Sequence, residues 1–167
     1  TDDIKESIFE SNTFLVNRYS CTLIEYAAFF GSTKIFNYLN EKGAELKSSL
    51  WLYAAHSDSL ELIHILEEKK VKPEEKSYKN CLEEAIKCHH KGIIEYILKE
   101  YISKEREQLK EFTNQSIKYF NIYFIQNDFI DESSFYDLCQ YDYYTIADFF
   151  LKNMDISINK LMIIFKI

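Results

Sequence analysis

One pattern recurs along this chain and limits what it can fold into: two small or apolar residues, a break three residues later, then Ile or Leu at helical spacing. The first copy is Thr22-Leu-Ile-Glu-Tyr-Ala-Ala-Phe-Phe-Gly31, followed by Ile35 and Leu39 and by the helix stop Lys42-Gly43-Ala44. The second runs from Ser49 to Asp58 with Leu62 and Leu66, its Ala54 and Ala55 standing 27 residues after Ala27 and Ala28. The third runs from Asn80 to His89 with Ile93 and Ile97, and the last from Ser133 to Asp142 with Ile146 and Phe150. Each copy reads as two helices joined by a tight turn, so the expected fold is all-α. Only 3 Gly and 1 Pro occur, too few for the many turns of a sandwich or barrel.

The interval between the third and fourth copies is 53 residues, nearly two repeats. A degenerate copy inside it would break near Ser116 and place Leu109, Phe112, Phe120 and Phe124 at the apolar positions; one long helix with an insertion is the other reading.

The first copy resembles an ankyrin repeat, whose motif is Thr-Pro-Leu-His-x-Ala-Ala-x-x-Gly followed by a second helix and a Gly-Ala turn. Thr22, Ile24, Ala27, Ala28, Gly31, Gly43 and Ala44 match it, whereas Leu23 and Glu25 replace the family's Pro and His. The family's usual period is about 33 residues, and the shorter spacing here removes residues where the family has its β-turn finger. The pattern looks most like the degenerate, finger-poor members found in large expanded families of parasitic protozoa. The resemblance implies an ankyrin-like α-solenoid of stacked antiparallel helix pairs. It implies one domain over 1–167, with a cap at 1–19, repeats near 20–47, 48–77, 78–103 and 131–157, a degenerate repeat at 104–130, and a tail or cap at 158–167.

Helix pairs of this kind bury their apolar faces only by stacking. Ala27, Ala28, Ala54 and Ala55 are expected to let inner helices approach closely, while Ile35, Leu39, Leu62, Leu66, Ile93 and Ile97 fill the space between outer helices. Trp51 stands where the motif has an inward-pointing Leu and is expected in the core; His64, among Glu61, Glu67 and Glu68, is expected on a solvated face. In the family, the motif's Thr and His tie the turn to the helix start, so their partial replacement predicts modest thermal stability.

Ankyrin arrays generally bind proteins and carry out no chemistry. The contact positions that the resemblance carries over are Phe29, Phe30, His56, Ser57, Lys87, Cys88, Gln140 and Tyr141, with Cys21, Ser48, Lys79 and Glu132 nearby. Phe29, Phe30 and Tyr141 are the candidate anchors, because rings beside polar groups make typical hot spots. The expected function is a non-enzymatic protein-interaction module that uses the concave inner-helix surface and needs no cofactor or metal.

Two other classes compete with it. Cys88, His89 and His90, with Cys81 two helical turns before Cys88, carry the residue types of a zinc or thiol enzyme. Against this, adjacent helical residues point about 100° apart, and no orienting acid stands at a recognisable spacing. The other alternative is an architectural spacer within a larger protein.

A net charge of -7 supplies no basic stripe for nucleic acid. No apolar run approaches the roughly 20 residues that span a bilayer, and four widely spaced cysteines suggest free thiols. An intracellular, cytoplasmic protein is expected. The apolar stretch Leu161 to Phe165 is a candidate for self-association.

Overall fold

The structure, a computed structural model, describes residues 12, 15, 21–74, 78–102, 105–125 and 132–153. The cap at 1–19, apart from Asn12 and Leu15, and the apolar tail lie outside these residues. The protein is all-α, and among the described residues there is no strand. The chain divides into two compact units, Thr1–Ile102 and Ser103–Ile167.

In the first unit, helices alternate in pairs: α1 (Leu23–Phe29) with α2 (Thr33–Glu41), α3 (Leu50–His56) with α4 (Leu60–Glu68), and α5 (Lys79–Lys87) with α6 (Lys91–Glu100). The first helices of successive pairs pack side by side, α1 on α3 and α3 on α5. Small side chains permit this approach, for Ala28, Ala54, Ala55 and Ala85 are fully buried at the contacts. Leu62, Leu66, Ile93 and Ile97 are completely buried, as their spacing predicts. Ile35 differs, being 57% exposed, while the adjacent Phe36 takes the buried place. Leu15, fully buried, clusters with Cys21 and Phe29 at the first pair, and Ile35 lies outside that cluster.

The second unit contains α7 (Arg106–Lys118), a 3-10 turn over Ile122–Phe124, α8 (Glu132–Gln140) and α9 (Tyr144–Asn153). Its core joins Ile117, Phe135, Leu138 and Phe150. The Ser134 hydroxyl also donates to Asn114 Oδ1 at 2.9 Å, tying α8 to α7.

The same joint closes α1, α3, α5, α7 and α8. Gly31, Asp58, His89, Phe120 and Asp142 all adopt positive φ, between 55° and 63°. The residue after each donates its amide to the carbonyl five positions back: Ser32 to Ala27, Ser59 to Ala54, His90 to Ala85, Asn121 to Ser116 and Tyr143 to Leu138. This is the Schellman arrangement, which satisfies the last carbonyls of a helix while reversing the chain. The break expected near Ser116 therefore falls four residues later, at Phe120. Ser116 and Ile117 occupy the place of the alanine pair, and a 3-10 turn follows where the other joints lead into an α-helix. A bulky residue in the left-handed region gives no sequence signal, which is why spacing alone misplaces the joint.

Ser116 introduces a polar group at an alanine position, and its buried hydroxyl has no hydrogen-bond partner among the described residues. Ser116→Ala is expected to raise stability by about 1 kcal/mol, since an unsatisfied buried hydroxyl costs on that order. Urea denaturation of the two chains measures it.

The turn network that the resemblance implies to be weakened is rebuilt by Glu25. Thr22 caps α1 by accepting from the Glu25 amide, and its own amide donates to Glu25 Oε2 at 2.9 Å, which closes a capping box. The Ser49 hydroxyl donates to Glu25 Oε1, so the same carboxylate ties the first pair to the start of the second.

Trp51 lies in the core as expected, 1% exposed. Its Nε1 donates to the Val71 carbonyl at 2.7 Å, and its ring meets Tyr78 and Tyr101 edge-on. Tyr78 and Tyr101 stack at 3.9 Å, and the hydroxyls of Tyr96 and Tyr101 both donate to Glu67. Burial, reinforced by the Glu67 carboxylate, pushes Tyr96 up to about 12 and also raises Tyr101 and Tyr78. The fold thus prefers the protonated phenols. Their contribution is complete below the ordinary tyrosine range near 10 and is lost as pH climbs through the raised values. Thermal stability is expected to fall from about pH 10 to about pH 12, and Glu67→Gln should flatten that slope, as read by circular dichroism melts across the range.

Candidate functional site

Short inner helices and identical joints bring the C-terminal ends of α1, α3 and α5 next to one another. His56 is the last residue of α3 and Cys88 follows the last residue of α5, so two side chains 32 positions apart meet with Cys88 Sγ 3.5 Å from His56 Nδ1. Glu84 stands one turn before Cys88 on the same face. Its Oε1 lies 2.8 Å from His56 Nδ1 and accepts from the Cys88 thiol at 3.5 Å. Phe29, at the end of α1, stacks on the His56 ring with centroids 4.1 Å apart and planes 17° from parallel. Lys87 Nζ approaches the other carboxylate oxygen, Glu84 Oε2, at 3.5 Å.

The electrostatics follow from this packing. Burial raises the Glu84 carboxyl, but the His56 hydrogen bond and the Lys87 charge outweigh it and hold the group below the ordinary carboxylate range. The Cys88 thiol is pushed up to about 11, first by burial and then by the Glu84 carboxylate beside it. Cys88 Sγ and Glu84 Oε1 both lie at the same ring atom, His56 Nδ1, so one imidazole nitrogen faces the thiol and the carboxylate together.

The eight carried-over contact residues divide by environment. Phe29 is buried, 7% exposed, and acts as a packing plate for His56. Phe30 is 55% exposed and lines a groove of about 390 Å³ between α1 and α2 with Leu23, Tyr26, Ile35 and Leu39. Ser57 is half-buried and donates to the Ala54 carbonyl, while Lys87 is exposed. Gln140 and Tyr141 belong to the second unit, where Gln140 is exposed and Tyr141 packs against the core. Of the nearby set, Cys21 is buried, Ser48 and Lys79 are half-buried, and the Glu132 side chain lies outside the described residues.

Cys88, His89 and His90 are not brought together. Cys88 turns to His56 and Glu84, and His90 Nδ1 lies 3.1 Å from the Ala55 carbonyl oxygen. His89 is exposed in the left-handed joint, and Cys81 is buried in the core. His64 is exposed, as its acidic neighbours suggest. His89→Gly is expected to stabilise the chain by about 1 kcal/mol, since only glycine enters that conformation without steric cost. Chemical denaturation is the measurement.

Glu84 is the residue that the sequence conceals. It occupies the position before the alanine pair that Tyr26 and Tyr53 hold in the earlier copies, and a Glu on a charged helix reads as solvated. The departure from Tyr at that position was the available signal.

The fold and site define an all-α protein of paired helices with a compact Cys, His and Glu cluster at its inner-helix ends. Comparison with protein-family models, with curated proteins and with solved structures finds no match to the chain. Among the described residues, no helix is long and apolar enough to cross a membrane.

Proposed function

We propose that the chain is a non-enzymatic protein-interaction module of the degenerate, finger-poor ankyrin kind, an α-solenoid that binds an intracellular protein partner through its inner-helix ends. The observation that carries this reading is the side-by-side packing of α1, α3 and α5, which sets the ends of three successive helices in a row. Along that row stand an exposed ring, Phe30, a part-exposed imidazole, His56, and an exposed ammonium, Lys87. Rings and cations beside one another are the chemistry of interface hot spots. Cys88 and Glu84 both meet the one ring atom His56 Nδ1, which speaks against a thiol nucleophile whose histidine base is oriented by a separate acid.

Site-specific photo-crosslinking tests the reading. A photoreactive residue at position 30 or 87 is expected to trap one partner protein in cells, whereas the same residue at Glu68 or Glu95, exposed on α4 and α6, is expected to trap none. Adducts from positions 68 and 95 alone would overturn it.

A further inference from the structure

The triangle of His56, Glu84 and Cys88 has the dimensions and chemistry of a transition-metal site. We infer that it binds a zinc-class divalent ion through His56 Nδ1, Glu84 Oε1 and Cys88 Sγ, with the fourth tetrahedral position facing solvent. The three atoms lie within 4.8 Å of one another. Zinc bonds of about 2.0 Å to nitrogen or oxygen and about 2.3 Å to sulfur set tetrahedral ligands roughly 3.3 Å apart, or about 3.5 Å where sulfur is one of the pair. Both edges to the Cys88 sulfur are 3.5 Å, so they already have the required length. The nitrogen to oxygen edge is 2.8 Å, a hydrogen-bond length, and widens by about 0.5 Å when both atoms turn to one ion.

The donor set selects the metal. Thiolate and imidazole suit zinc and cobalt, whereas magnesium and calcium take oxygen ligands. On binding, the Cys88 S–H bond is exchanged for a sulfur–metal bond and its proton leaves to solvent, while the proton that His56 Nδ1 shares with Glu84 passes through solvent to Nε2 and frees the Nδ1 lone pair for the metal. The thiolate and the carboxylate then balance the two charges of the ion. Outer groups hold the ligands in place: Phe29 stacks on the imidazole and fixes its plane, and Lys87 engages Glu84 Oε2, leaving Oε1 for the metal. The His56 side chain is 28% exposed and Cys88 is half-buried, so the cluster borders solvent. Because the ligands come from α3 and α5, the ion would clamp two adjacent helix pairs together.

Cobalt titration of the untagged full chain tests this. One equivalent of Co2+ is expected to produce the visible bands of tetrahedral cobalt with a thiolate-to-metal charge-transfer band, and Zn2+ is expected to displace it. Zn2+ should raise the melting temperature while Mg2+ and Ca2+ leave it unchanged. Cys88→Ser, His56→Gln and Glu84→Gln, checked for helicity by circular dichroism, should each weaken binding at least about tenfold. Cys139→Ser, at the exposed cysteine of the second unit, should leave binding unaltered. X-ray absorption of the zinc-loaded wild type is independent of any variant and is expected to find a single sulfur among nitrogen and oxygen neighbours. A shell with no sulfur or with several, or a charge-transfer band that survives Cys88→Ser, would overturn the site.

Discussion

Trp51→Ala should lower the unfolding free energy by about 3 to 5 kcal/mol, the largest loss expected from any single truncation in the first unit. Three contributions fall together. The indole is 1% exposed, so its removal leaves a cavity in the core. Its N–H is the donor at 2.7 Å to the Val71 carbonyl, which lies just past the end of α4. Its edge also supports the stacked pair Tyr78 and Tyr101, through which Glu67 is held. Since domain stabilities run at about 5 to 15 kcal/mol, such a loss is a large share of the total. Trp51→Phe should cost less, because a ring remains although the donor is gone. Guanidinium unfolding followed by circular dichroism is the measurement, as Trp51 is the only tryptophan and its fluorescence disappears with it. A change under 1 kcal/mol for Trp51→Ala would contradict the packing described.

The second large effect comes as a contrast between two residues in the same column of the repeat. Leu62→Ala should cost about 2 to 5 kcal/mol, because Leu62 is completely buried and a cavity adds to the lost transfer energy. Ile35→Ala should stay within about 0.5 kcal/mol, as surface substitutions usually do, since Ile35 is 57% exposed. Spacing alone assigns the two residues the same role. Their unequal cost in matched denaturation curves would show that position along the stack sets the energetic weight of a column. Equal losses would mean that the face of α1 and α2 is covered in solution.

These cases mark what the sequence makes legible. Helix pairs can be read from period and small residues, because Ala27, Ala28, Ala54 and Ala55 leave a pattern that tertiary packing does not alter. Trp51 is legible because a large ring in an inward column has one place to go. Ile35 is not, since its burial depends on whether another pair covers its face. The joint at Phe120 is hidden because a left-handed backbone is stabilised by the two amide bonds that close it, and neither involves the side chain. The cluster was half-visible. His56 and Cys88 are each named by their place after the alanine pair, but their meeting depends on the sideways fit of α3 on α5, and Glu84 enters only through that fit.

The five joints bear also on how such a chain can descend from a common unit. Gly, Asp, His, Phe and Asp fill one backbone conformation in turn, so the hinge accepts very different side chains at one position. An unfavourable left-handed residue costs only about 1 to 2 kcal/mol, an amount that improved packing elsewhere can offset. Copies of such a unit can therefore differ in every side chain at the hinge and keep one shape, so their likeness is carried by torsion angles rather than by amino acids.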